Sequence, residues 1–171
     1  MKSLKFNSFL AVNVYNKNKV FTARKECDLI KGDFFIATLK NGFEFAVCKV
    51  KSVKQFKNFE FLDELDAVEF KCKNAEKIQV TKQQAGFKDF KQLQKFYNNY
   101  FDIRKMGFLV LYDVVFKLCD FNFLKYNIEK INTEEEKQTK KSNEFFEECK
   151  NDHWVQACGI YLEDIGKEKK Q

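Results

Sequence analysis

Catalytic signatures are what this 171-residue sequence lacks. It has one histidine, so any imidazole-based nucleophile relay must run through His153. Cys149 or Cys158 would then be the nucleophile and Asp152 the orienting acid, but a neighbour in sequence is awkwardly placed for that role, and no oxyanion hole is visible. There is no Gly-rich phosphate loop and no Gly-x-Ser-x-Gly turn. A zinc-dependent or thiol enzyme is therefore the weakest of three readings, behind two binding functions.

Proline is absent, glycine is limited to six residues, and two arginines stand against 29 lysines. Phe, Lys and Asn have A/T-rich codons while Pro, Gly and Arg have mostly G/C-rich ones, so this skew is that of a low-GC genome. Lysine abundance alone is thus poor evidence of a polyanion partner. The six cysteines, Cys27, Cys48, Cys72, Cys119, Cys149 and Cys158, form no Cys-x-x-Cys pair, and no secretory signal precedes them. Reduced thiols in a cytoplasmic protein are expected, in the host cytoplasm if the chain is phage-encoded. The longest apolar run, Met106 to Tyr112, is far shorter than the roughly 18 residues of a membrane span.

What the chain does contain is phenylalanine, 21 copies of it, and an uneven charge. Residues 1–60 carry twelve basic and five acidic side chains, whereas residues 133–171 carry seven and ten. A basic N-terminal half steers association with polyanions. Within it, Lys49, Lys51, Lys54 and Lys57 interleave with Phe56 and Phe59, a pattern that tracks phosphates with lysines and stacks bases on rings. The competing reading places the phenylalanines in the core and the lysines on a solvated face.

The strongest structural signal is Lys31–Val50. Asn41-Gly42 suits a type I′ hairpin turn, because both residues tolerate positive φ, and strand-forming residues flank it. Alternation predicts further strands at Leu10–Val14, Val20–Arg24, Val68–Cys72 and Lys77–Thr81, with Val53–Leu62 leading into another strand or an aromatic loop. The acidic bend Asp63-Glu64-Leu65-Asp66 lacks the spacing of a calcium loop. Many short strands with tight turns predict a small closed or nearly closed barrel over residues 1–82.

Gly32-Asp33, Thr38, Asn41-Gly42 and Val47-Cys48-Lys49-Val50 together resemble the centre of SH3-like small barrels, the bacterial PSP1-type domain in particular. The resemblance covers residues 10–54 and departs from the pattern at Ala46, where a second glycine is common. It implies a barrel that binds proteins or nucleic acids.

Beyond Gly86 the period lengthens. Phe87, Phe90, Leu93, Tyr97, Tyr100 and Phe101 fall on one helical stripe. We read residues 108–119 as a helix that gathers Asp113, Lys117 and Asp120 on one side, with Lys117 pairing Asp113 one turn on; a β-hairpin is the alternative, given Val110, Val114 and Val115. Asp113 as a buried acid with a raised pKa is the other reading of that residue. Phe121, Leu124, Ile128 and Ile131 continue helical spacing, Thr133-Glu134-Glu135-Glu136 matches a capping box, and Trp154–Leu162 has strand character.

These observations predict an α+β protein: an SH3-like antiparallel barrel over residues 1–82, then a mainly helical part over 83–171 with a C-terminal strand. No cofactor is expected. Zinc is the one alternative, held by Cys149, His153 and Cys158, which suit the ion but supply only three ligands. The function expected is a non-enzymatic module that docks on a protein or nucleoprotein partner, an inhibitor of a host or defence complex being one version. The alternative is DNA or RNA binding through the basic barrel face.

Overall fold

The structure is a computed structural model and describes residues 1–101 and 103–150, the last six by backbone alone. In order it contains β1 (Lys2–Phe6), α1 (Ser8–Tyr15), β2 (Phe21–Arg24), β3 (Phe34–Leu39), β4 (Glu44–Leu62), a 3-10 turn (Asp63–Leu65), β5 (Ala67–Cys72), β6 (Lys77–Thr81), α2 (Phe90–Tyr100), β7 (Gly107–Lys117) and α3 (Phe121–Lys150). The chain groups into one unit, Met1–Asn127, and a second beginning at Ile128. The class is α+β, as expected.

The sheet has seven strands and is open. One path runs β1-β3-β4-β5-β6, and β7 joins β4 on one side and β2 on the other. No pairing among the described residues closes it into the expected barrel. β1 and β3 run parallel, and every other pairing is antiparallel.

β4 organises the sheet. It pairs with β3 through residues 44–49, with β7 through residues 46–56 and with β5 through residues 56–62. The register slips at Ala37/Thr38, Val47/Cys48, Val50/Ser52 and Phe56/Asn58. Such bulges bend and twist a strand, which lets one 19-residue strand serve three partners. One slip explains why Phe45 and Ala46, adjacent in sequence, are both buried. Strict alternation of buried and exposed side chains breaks there. The hairpin turn also differs from expectation: Gly42 has φ 89° while Asn41 stays out of the left-handed region. The Gly42 amide donates to the Leu39 carbonyl at 2.9 Å and Leu39 donates to Phe43 at 2.9 Å, a three-residue loop in place of type I′.

Leu10–Val14 is helical, which corrects the strand reading. Leu10, Ala11, Val14 and Tyr15 are the buried residues, spaced as one helical stripe. Two distant contacts fix it: Asn13 Nδ2 donates to the Gly86 carbonyl at 2.7 Å and the Tyr15 hydroxyl to the Cys119 carbonyl at 2.6 Å. Residues 108–117 are neither helix nor hairpin but the single strand β7, paired on both edges. Asp113 is exposed and pairs with Lys51 at 3.1 Å across the sheet, not with Lys117, whose Nζ lies 4.5 Å from the Tyr15 ring centroid. Thr133 lies inside α3 and donates to the Glu129 carbonyl at 2.9 Å, so it caps nothing. The cap is Asp120, whose Oδ1 accepts from the Phe123 amide at 2.9 Å. The residues of the expected C-terminal strand, Trp154–Leu162, lie outside the described residues.

α2 forms where the stripe predicted it, with Asp89 Oδ1 accepting from the Lys91 amide at 3.0 Å. Leu93 and Tyr97 seat it on a phenylalanine-rich core that includes Phe56, Phe59, Phe70 and Phe101. The rings meet edge-on, Phe56–Phe70 at 4.8 Å and Phe59–Phe101 at 5.3 Å. Pairs of this geometry each contribute about 0.5–1.5 kcal/mol beyond their buried area. No helix among the described residues is long and apolar enough to cross a membrane.

Candidate functional site: a cationic aromatic pocket

The site begins with the way α1 ends. Lys17 takes φ 63°, and the amides of Asn18 and Lys19 both donate to the Asn13 carbonyl, at 2.9 and 3.1 Å. This reversal turns Lys19 inward. The side chain is 4% exposed, its Nζ donates to the Ala85 carbonyl at 2.8 Å, and it stands 5.1 Å from the centre of the Phe21 ring. Gly86 leaves room for it, since a Cβ there would lie 3.2 Å from Lys19 Cδ and 3.1 Å from Leu10 Cδ2.

Three residues further on, β2 carries Thr22 and Arg24. The Arg24 guanidinium is fixed from several directions: Nε donates to Thr22 Oγ1 at 3.1 Å, Nη2 donates to the Lys5 carbonyl at 2.7 Å, and the group lies 4.9 Å from the centre of the Phe6 ring. Lys5, Asn7, Lys19, Thr22 and Arg24 supply the polar lining of a cavity of about 180 Å³. Phe6, Phe87, Phe96, Tyr97 and Tyr100 supply its aromatic walls. Among the described residues no carboxylate lines it.

The electrostatics are one-sided. Among the described residues, neither Lys19 nor Arg24 has a carboxylate within salt-bridge distance. Burial, then the nearby Arg24 charge, pushes the Lys19 ammonium down to about 7. Burial likewise lowers the Arg24 guanidinium, partly offset by Tyr100, Tyr112 and Cys27. Arginine starts so high that it remains a cation at neutral pH. Buried charges are usually paired because an unpaired one is costly, so this pocket has the field of an anion site.

The residues singled out from sequence fall elsewhere. Phe56 and Phe59 are fully buried in the core and present no face on which a base can stack. Lys49 lies 5.5 Å from the centre of the Phe34 ring, Lys51 pairs with Asp113, and Lys54 reaches Glu76 at 2.6 Å. Lys57 is exposed. The six therefore form no joint basic-aromatic surface. In the acidic bend, Asp63 accepts from Gln94 at 3.0 Å and Asp66 pairs with Lys82 at 3.3 Å. Among the described residues no group of three His, Cys, Asp or Glu side chains is placed to hold a metal. The Cys149 side chain, Asp152, His153 and Cys158 lie outside the described residues.

Sequence reasoning missed Lys19, Thr22 and Arg24. One signal was available: with 29 lysines and two arginines, a chain this poor in arginine still spends one of them on β2. The fork geometry of arginine has no lysine equivalent.

No protein-family model matches the sequence, and no curated protein does. Two solved structures show distant structural similarity to the chain. Protein EF3133 from Enterococcus faecalis V583, of family DUF984, is 12% identical with a TM-score of 0.45, covering 70% of this chain and 82% of that one. Hypothetical protein PH0355 is 16% identical with a TM-score of 0.41, covering 67% of this chain and all of that one.

Proposed function

We propose that the protein is a non-enzymatic binding module that takes one nucleotide of a single-stranded nucleic acid, base first, into the pocket between β1, α1, β2 and α2. The observation that carries this reading is that buried Lys19 and half-buried Arg24, neither with a carboxylate partner among the described residues, share one cavity with five aromatic side chains. A nucleotide brings both complements, a flat ring for the walls and a phosphate for the cations. The volume matters as well. Sites for whole small molecules usually run from roughly 300 Å³ upward, so about 180 Å³ suits a single ring whose remainder stays outside. Among the described residues Cys27, Cys48, Cys72 and Cys119 are unpaired thiols, which suits action in the cytoplasm.

The test is fluorescence anisotropy with labelled single-stranded DNA and RNA 12-mers, on the full chain and on Arg24→Met and Tyr100→Ala. Loss of the ring contact should weaken binding about 5- to 150-fold, the range of roughly 1–3 kcal/mol per stacked base. Absent binding, or equal affinity in both variants with the fold intact by circular dichroism, overturns the reading.

A second reading keeps the protein partner. Val115, Phe116, Leu118, Phe121, Phe123 and Tyr126 are all exposed within twelve residues, Phe116, Phe123 and Tyr126 by more than 60%. Exposed apolar groupings of this kind mark interaction surfaces. It predicts a partner retained from nuclease-treated extract by the native chain and lost by the Phe123→Ser, Tyr126→Ser double variant.

A further inference from the structure

Lys19 is an amine in a place where amines become nucleophiles. It borders the cavity yet is almost wholly buried, and its Nζ donates to a backbone carbonyl, that of Ala85. The titratable groups facing the cavity with it are Arg24 from β2, Lys5 from β1, and the phenols of Tyr97 and Tyr100 from α2. Among the described residues none of the groups lining it is a carboxylate. A desolvated lysine beside another cation is the known route to a reactive amine, and burial followed by Arg24 lowers this one to about 7. At pH 7 a large share of Lys19 is then the free amine. A surface lysine near 10.4 is so for roughly one molecule in two thousand.

We propose that Lys19 is a covalent capture site, forming an imine with a small planar aldehyde that carries an anionic group. The aromatic walls hold the ring and the Arg24 guanidinium, anchored on Thr22 and Lys5, holds the anion. The amine lone pair attacks the carbonyl carbon, forming the C–N bond as the C=O π pair moves to oxygen. A proton passes from nitrogen to that oxygen, and the carbinolamine loses water to give the imine. The step needs no oxidant or reductant. It goes beyond the nucleic-acid reading and does not depend on it.

The test treats the full native chain with 4-formylbenzoate and sodium cyanoborohydride, whose hydride reduces the imine to a stable secondary amine, and maps the labelled lysines by peptide mass spectrometry. Lys19 should be labelled at least tenfold faster than exposed lysines such as Lys57 and Lys88. Its rate should rise with pH through about 7 and level off by 8, while surface lysines continue to rise. Benzaldehyde, which lacks the carboxylate, should lose most of the preference. Labelling of Lys19 no faster than the surface average, or a pH profile that follows the surface lysines, overturns the proposal. Because the probe is small and the chain unmodified, the result is independent of whether oligonucleotides bind.

Discussion

At the scale of single residues, Lys19 places function and stability in opposition. Its ammonium is desolvated in the folded chain and solvated in the unfolded one, so folding lowers its pKa to about 7. Between about pH 7 and its unfolded value near 10.4 this site binds more protons in the unfolded chain, so the Lys19 contribution to stability rises with pH in that window. The slope approaches ~1.4 kcal/mol per pH unit where the folded form is neutral and the unfolded one charged. Below pH 7 both states are protonated and this contribution is flat. Urea unfolding between pH 7 and 9.5 should show that rise in the native chain and a clearly smaller one in Lys19→Met. At pH 7 the methionine variant should be as stable as the native chain or more so, because a packed apolar side chain replaces an unpaired buried charge. Retention of a group that weakens the fold is what a binding site requires.

At the scale of elements, the informative strand is β7, which is central and carries β2 on one edge and β4 on the other. Its first residue, Gly107, is where the crossing is tightest: an added Cβ would lie 2.4 Å from the Arg24 carbonyl and 2.8 Å from Phe56 Cζ. Backbone on one side and a core ring on the other leave no room to yield, and overpacking of this kind costs about 1–3 kcal/mol. Gly107→Ala should lower the urea midpoint accordingly, and it should also disturb Arg24, whose carbonyl it strikes. The same element shows why local pattern misled. Leu109, Val110, Tyr112 and Val114 are buried on a strand whose partners cover both edges, so the run is nearly continuous in apolar residues, and such a run has no period that separates strand from helix. Leu10–Val14 failed for a related reason. Eight residues carry both an alternating and a helical stripe, and the choice was made by Gly86 and Cys119, 73 and 104 residues from the side chains that bond them. Where the pattern was long or unambiguous, as in α2, β5 and β6, it sufficed.

At the scale of the whole molecule, the charge distribution sets how a polyanion would be met. Twelve basic against five acidic side chains in residues 1–60 include Lys5, Lys19 and Arg24 at the pocket, while Lys51 and Lys54 are neutralised by Asp113 and Glu76. Binding that uses the pocket cations should therefore show a log–log salt dependence that becomes shallower by about 0.7 when Arg24 is replaced by Met, and change little for Lys51→Met. Titrations of a single-stranded 12-mer between 50 and 300 mM salt measure both slopes. An equal fall in slope for the two variants would place the phosphate contacts on the β4 face and not at the pocket.

The sequence by itself determined the class of the molecule, the hairpin of β3 and β4, the amphipathic α2 and the acidic turn, because each is encoded within a dozen residues by periodicity and turn chemistry. It also identified the aromatic richness of the core, although it offered Phe56 and Phe59 as binding residues, and only burial shows them to be core. Tertiary structure alone decided that the sheet stays open, that β7 is a strand, and that Lys5, Lys19, Arg24 and Tyr100 share one cavity. The physical reason is range. A pocket assembled from residues 5 to 100 depends on long-distance contacts such as those of Asn13 and Lys19 with the Ala85-Gly86 turn, and no local pattern carries that information.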